Sequence, residues 1–226
     1  MNHVLDNPAW NALISGSKNL SNGSESVKYF AKDVSPFVGL KENPEESLKI
    51  LYDLVPDESL SGVISINEME IPRPWKLLQC VRSLQLIYNG TAEPDEVAEL
   101  VTLTDEHIPQ MLALTKLTNP GPFEARTIDF GHYRGVFEDN KLVAMAGQRL
   151  NPLPYAEISA VCTHPDHLGK GYARRLLMYH VHRIKAAGEI PFLHVRHDNY
   201  RAINVYKDLG FETRTEINFY ILKKTI

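Results

Sequence analysis

The stretch "HPDHLGKGYARRLL" at 164–177 sets two glycines, Gly169 and Gly171, directly before a run of helix-forming residues. Glycines in that place let backbone N–H groups converge on one point, and a helix N-terminus adds about half a positive charge there. That is anion-cradle chemistry, and a pyrophosphate suits it. Just upstream, "YAEISAVCT" at 155–163 carries a carboxylate (Glu157), a hydroxyl (Ser159) and a thiol (Cys162). Strict alternation along this strand puts Tyr155, Glu157, Ser159, Val161 and Thr163 on one face and Cys162 on the other. Downstream, "NYRAINVYKDLGF" at 199–211 offers Asn199 as a helix cap and Tyr206 on the inward helix face. Other phosphate motifs fit less well. A dinucleotide fingerprint needs a third glycine where Arg174 stands, with its strand leading straight into the first glycine. Gly-x4-Gly-Lys-Ser/Thr is absent from the sequence. "HVRHD" at 194–198 spells His-x-x-x-Asp, a two-position match that chance supplies often.

Holding these residues requires an ordered α/β frame. From residue 97, "VAELVTLT" reads as a strand, and Asp105 caps a helix carrying Ile108, Met111, Leu112 and Thr115. "YRGVF" and "LVAMAGQRL" form a hairpin across "EDNK". The helix after the glycines faces inward with Ala173, Leu176, Leu177, Val181, Ile184 and Ala187 and stops at Gly188. "PFLHV", the helix after Asn199, and the closing strands "FETRT" and "NFYILKK" complete the order β, α, β, β, β, α, β, α, β, β. This predicts an α/β domain with a mixed sheet. Residues 1–95 show weaker signals. They comprise a loop at 15–28, a strand-like "YFAKDVSPFVGL", and a helix with Asn43 as cap, Pro44 first and Glu46 closing a capping box. Two β-rich segments, "SGVISI" and "VRSLQLIY", follow, and the polar stretch 89–96 is the expected boundary.

The chain has 226 residues, 43% apolar and 23% charged, with a formal net charge of −4. Twenty-four basic residues against 28 acidic ones give no electrostatic footprint for nucleic acid or an anionic membrane. No apolar run approaches the roughly 20 residues of a membrane span, and the N-terminus lacks a signal-peptide layout. The two cysteines, Cys80 and Cys162, need not pair, which predicts a reducing cytoplasm. The nine histidines lack the cysteine and carboxylate company of a metal site, so no metal is expected.

On "AVCTHPDHLGKGYARRLL" and "NYRAINVYKDLGF" together, residues 97–226 resemble the GNAT superfamily of acyl-CoA N-acyltransferases. The family's Arg/Gln-x-x-Gly-x-Gly/Ala pyrophosphate motif falls on Leu168, Gly169, Lys170, Gly171, Tyr172 and Ala173. Its Asn-x-x-Ala with a tyrosine four residues later falls on Asn199, Ala202 and Tyr206. The resemblance implies a GNAT-like, mostly antiparallel twisted sheet flanked by helices. It implies that 97–226 is the N-acyltransferase domain and that 1–95 is an α/β region with the texture of a degenerate half of the same fold, packing on the acceptor side. Leu168 departs from the motif, since leucine offers the phosphates neither charge nor a side-chain hydrogen bond. Most of the cradle is main chain, and Lys170 or Arg174 stands close enough in sequence to compensate.

The implied reaction moves an acetyl group from acetyl-CoA directly to a primary amine. A lysine-like amine, pKa about 10.4, costs roughly 4–5 kcal/mol to deprotonate at neutral pH, whereas a peptide α-amine near 8 costs about 1 kcal/mol. By resemblance, Glu157 is the candidate base, acting directly or through water. The main chain of Val161, Cys162 and Thr163 pairs with the pantetheine arm, and the Val161 N–H polarises the thioester carbonyl. Tyr206 is the candidate acid for the CoA thiolate, and Asn199 contacts the cofactor or anchors its loop. Cys162 has no activating histidine–acid pair in sequence and is not expected to be a nucleophile. The partners are then an acyl-CoA and an amine-bearing acceptor of open identity. The competing reading is an acyl-CoA-binding sensor without turnover.

Overall fold

The computed structural model describes residues 3–42, 44–91 and 100–225. Asn43, expected as a cap, and residues 92–99, which hold most of the expected boundary and the start of the strand expected at 97, lie outside the described residues.

A single eleven-stranded sheet runs through the molecule in the order β1-β2-β3-β4-β11-β5-β10-β9-β8-β7-β6. Its N-terminal strands are β1 (Ser21–Gly23), β2 (Val27–Phe30), β3 (Phe37–Leu40), β4 (Leu60–Ser65) and β5 (Trp75–Tyr88). The others are β6 (Val101–Thr102), β7 (Arg134–Glu138), β8 (Lys141–Gln148), β9 (Tyr155–Thr163), β10 (Ile190–Arg196) and β11 (Phe211–Lys224). Among the described residues only β3·β4 and β9·β10 pair in parallel. The second pair is joined by a helical crossover, as parallel neighbours require. The hairpin β7–β8 turns on Asp139 and Asn140, both at positive φ (48° and 61°), a conformation that suits the twist of its strands.

The helices are α1 (Pro8–Ile14), α2 (Pro44–Leu54), α3 (Ile108–Thr118), α4 (Tyr172–Ala186) and α5 (Tyr200–Asp208). α4 and α5 cover one face, where Leu177, Val181, Ile184, Ile203 and Tyr206 pack on Leu86, Ile158, Leu193 and Val195. α2 packs on Val38, Val63, Tyr220 and Leu222. α1 lies over Phe37, Ile217 and Phe219, and α3 over Tyr133, Met145 and Cys162.

Three local readings change. The start of α3 is capped by a Thr104–His107 capping box with Asp105–His107 in a 3-10 turn, so Asp105 is inside the turn rather than its cap. Leu114, not Leu112, joins Met111 and Thr115 among the buried residues of α3. The two expected closing strands are one strand, β11, and the gap between them in sequence is a bulge between Thr213 and Thr215. β5 lies between β10 and β11, pairing with both. A strand from the first 95 residues thus completes the sheet that carries α4 and α5.

Candidate functional site

The cleft begins where β9 and β10 part. They pair only through Tyr155–Glu157 against Ile190–Phe192, after which no rung is formed. On its other side β9 pairs with β8 through a bulge, for Met145 opposes Cys162 while Gly147 opposes Ser159. At the bulge Ala160 has φ +53°, a strained setting for a residue with a Cβ. The extra residue resets the alternation. Val161 packs with Ile158 toward α4, whereas Ala160 and Cys162 turn toward α3. The expected faces are therefore corrected: Cys162 shares Glu157's side of the sheet and Val161 does not.

A cleft of about 660 Å³ opens between the separated strands and runs to the N-terminus of α4. Val161, Cys162, Thr163, the turn from Leu168 to Arg174, Asn199 and Tyr206 all line it. Gly169 (φ +81°) and Gly171 (φ +76°) are left-handed, and a Cβ on either would meet nothing within 4 Å. The space over the turn is open, and α4 presents its unpaired N–H groups there. Residues and shape together fit a pyrophosphate with an extended arm laid between β9 and β10. The Asn199 side chain accepts the Ala202 N–H at 3.2 Å, so it caps α5 while lining the cleft. Burial pushes the Tyr206 hydroxyl up to about 12 and the Cys162 thiol up to about 12, so both hold their protons. A thiol so held is a poor nucleophile.

At the turn, Lys170 is not free to compensate for Leu168. Its Nζ donates to both oxygens of Glu138, at 3.0 and 2.9 Å, and the Tyr172 hydroxyl donates to the same carboxylate. Hydrogen bonds from Tyr172 and Lys170 hold the Glu138 carboxyl down at about 2. Leu168 itself is 46% exposed, and Arg174 lines the cleft beside it.

Glu157 is fully buried, at 0% exposure, and is not among the residues lining the cleft. Its Oε1 accepts from Arg149 Nη2 at 2.5 Å and His194 Nδ1 at 2.7 Å, and its Oε2 from Arg149 Nε at 2.9 Å and the Leu150 N–H at 3.3 Å. With roughly four acceptor positions on a carboxylate, none remains for an amine proton. Burial pushes this carboxyl up, but the Arg149 and His194 partners outweigh it and hold it at about 2. The expected role of free base is thus physically opposed by the observed bonding. The side chain instead anchors a chain of buried groups.

That chain continues across the sheet. Gln85 on β5 accepts from Arg214 Nε through Oε1 at 2.5 Å, which leaves its Nε2 to donate to His194 Nε2 and the Leu5 carbonyl, each at 3.0 Å. His194 is thereby fixed as the neutral Nδ1–H tautomer. Arg214, turned inward by the β11 bulge, reaches Asp6 at 2.6 Å. Arg149, His194 and Gln85 escaped the sequence reading because they lie just past β8, on β10 and on β5, with no common motif. His194 was visible only inside "HVRHD", and its place on β10 beside Glu157 comes from the parallel pairing.

Among the described residues no group of three or more His, Cys, Asp or Glu is arranged to hold a metal ion. Among them, too, no helix is long and apolar enough to cross a membrane.

The comparisons agree with this architecture. A crystal structure of a GNAT-family protein from Novosphingobium aromaticivorans is 31% identical over 100% of both chains, with a TM-score of 0.92. The model of the FR47-like protein family matches residues 133–220. A GCN5-related N-acetyltransferase from Kribbella flavida superposes over 96% of this chain and 95% of its own, at 11% identity and TM-score 0.59. An acetyltransferase of the GNAT family from Colwellia psychrerythraea covers 99% and 98%, at 14% identity and 0.54. These last two show the fold alone. No curated protein matches the chain. The chain belongs to the GNAT superfamily, and its fold is that of a GNAT acetyltransferase.

Proposed function

We propose that the protein is an acetyl-CoA-dependent N-acetyltransferase acting on a primary amine. The observation that carries this reading is the parting of β9 and β10 at the Ala160 bulge, with the two open glycines at the mouth of the cleft. In this reading the turn 168–173 and the N-terminus of α4 bind the pyrophosphate. The main chain of Val161–Thr163 pairs with the pantetheine arm, and the Val161 N–H faces the thioester oxygen. When bound, acetyl-CoA supplies an activated acyl group. The amine nitrogen bonds to the acyl carbon as the C–S bond breaks, the nitrogen sheds a proton to solvent, and the sulfur takes one from Tyr206. Burial keeps the Tyr206 hydroxyl protonated, so it still holds the proton that a leaving thiolate needs.

Residues 1–95 are read as supporting the acceptor side. The Asp33 and Val34 carbonyls accept from the Arg126 N–H and the Thr127 hydroxyl at 2.8 and 2.7 Å, tying the first region to the segment after α3. The unpaired thiols Cys80 and Cys162 suit a cytoplasmic setting.

The test is calorimetric titration with acetyl-CoA beside Gly171→Val, followed by kinetics of Tyr206→Phe. Binding by the intact chain, its loss in Gly171→Val, and a rate about 10²-fold or more lower in Tyr206→Phe with binding retained are expected. The second reading, an acyl-CoA sensor, is favoured by the exposed Leu168 and by the capture of Lys170 by Glu138. Binding without transfer to any amine would move the conclusion there, and an unchanged rate in Tyr206→Phe would take that residue out of the reaction.

A further inference from the structure

A small pocket opens off the cleft at the β9 bulge, sharing Pro120, Arg149, Ser159 and Ala160 with it. About 10 Å³ is accessible inside, room for one oxygen-sized group. Its inner wall includes Tyr133, 2% exposed, whose hydroxyl has no hydrogen-bond partner among the described residues. An orphaned buried hydroxyl costs free energy, so a native one calls for an explanation. The ring is fixed in place, lying where a Cβ on Gly147 would be 2.4 Å away and meeting Phe123 edge-on at 5.7 Å. Beside it Arg149 spends only Nε and one Nη2 hydrogen on Glu157, out of five N–H donors. No carboxylate lines the pocket. The place therefore gathers hydrogen-bond donors without an acceptor for them among the described residues.

A second, independent observation concerns the amine. Glu157 has no lone pair to spare, and His194 offers none either, since Nδ1 faces Glu157 and Nε2 faces Gln85. An amine entering here meets neither as a free base, so it must arrive without its proton, which the α-amine of a free amino acid does somewhat more readily than a lysine-like amine.

Given the proposed acetyl transfer, we infer that the acceptor is a small free α-amino acid, its carboxylate held by the Tyr133 hydroxyl and the spare Arg149 N–H groups and its amine directed at the β9 bulge. The carboxylate supplies the acceptor oxygens both donors lack, and in an α-amino acid the amine lies one carbon away from it, which suits a pocket walled by both Arg149 and Ala160 of the bulge. A peptide N-terminus would offer a neutral carbonyl in its place and is the alternative outcome.

The experiment first measures acetyl-CoA binding, which tests the function on its own, then acetyl transfer to matched acceptors. These are a panel of free α-amino acids, their C-terminal amides, the corresponding amines without the carboxylate, and short peptides. Transfer to a free amino acid is expected, at least about tenfold better in kcat/KM than to its amide or its decarboxylated partner. Tyr133→Phe should raise the KM for that amino acid about ten- to hundredfold and narrow its advantage over the amine, leaving acetyl-CoA affinity unchanged. A merely structural tyrosine would not shift that preference. If acetyl-CoA binds and peptides, amides or ω-amines are preferred, or Tyr133→Phe leaves the preference intact, the inference is wrong while the function stands. If acetyl-CoA does not bind, the function falls and the inference with it.

Discussion

The two sides of the cleft are built from different materials. The turn at 168–173 is main chain: two left-handed glycines, a helix start and open space, with side chains set around its edge. The floor rests on side chains: Arg149 and His194 line the cleft, and beneath it Glu157, Gln85, Arg214 and Asp6 continue one hydrogen-bonded chain to the turn at Val4–Asp6. A backbone-built site tolerates exchange of its neighbours, because amides stay where the fold puts them. A buried ionic chain does not, since each member's desolvation is offset only by the next. Changes on the floor should therefore appear first as lost stability, and changes at the turn first as altered affinity.

The largest effect is expected from Glu157→Ala. It strands Arg149 and His194, both buried, without their shared anion, at a cost of about 3–5 kcal/mol. For a chain of this size that lowers Tm by about 10 °C, read by thermal unfolding. A shift below about 3 °C would mean the floor is as tolerant as the turn. The acid limb gives the same comparison by another route. The Glu157 carboxyl is held at about 2 in the fold against 4.5 when unperturbed. A depressed carboxyl contributes stability in full above its unfolded value, and that contribution is lost as pH falls through the folded one. The wild-type protein should thus shed about 3 kcal/mol between about pH 4.5 and 2 through this group, seen in urea midpoints across that range. Glu157→Ala should lack that component of the slope.

The same division explains what was legible in the sequence. The turn, α4 and α5 could be read because glycine placement, helix periodicity and the Asn199 cap are local signals. Leu177, Val181, Ile184 and Tyr206 sit inward as their spacing predicts. The floor could not be read, because its members are up to 208 residues apart and meet only through strand order. Two bulges did further damage. One extra residue at Ala160 reverses a period-two pattern, which is why Cys162 changes face. One at Arg214 resembles the end of a strand and turns inward an arginine that reaches Gln85 and Asp6. The place of β5 between β10 and β11 was hidden as well, since nothing in "VRSLQLIY" names its partners.

A smaller effect, and one confined to affinity, is expected from Leu168→Arg. Leu168 is exposed at the cradle, so an arginine there adds a charge-assisted donor without disturbing the core. Such a bond is worth about 1.5–3 kcal/mol at best, and partial solvent exposure reduces it. Acetyl-CoA should bind about tenfold more tightly, with Tm of the free protein unmoved. Calorimetry showing no gain would mean that the main chain already satisfies the phosphates, which sharpens the contrast with the floor.

The smallest effect is expected at the edge of the turn, from Glu138→Gln. Glu138 gathers Lys170, Tyr172 and His167 on one carboxylate, and this is the one place where the turn imitates the floor. The cluster is solvent-reached, with the Glu138 side chain 30% exposed, so water and salt weaken each pair and its loss should leave Tm almost unchanged. Neutralising the carboxylate releases the Lys170 ammonium, which then stands beside the cradle with no competing anion. Acetyl-CoA affinity should rise slightly, and the gain should fade as salt is raised from about 50 to 200 mM because exposed charges are screened over that range. A Tm loss as large as that of Glu157→Ala would show that the turn, too, is held by its ion pairs. The line drawn here between a backbone-built side and a side-chain-built side would then not hold.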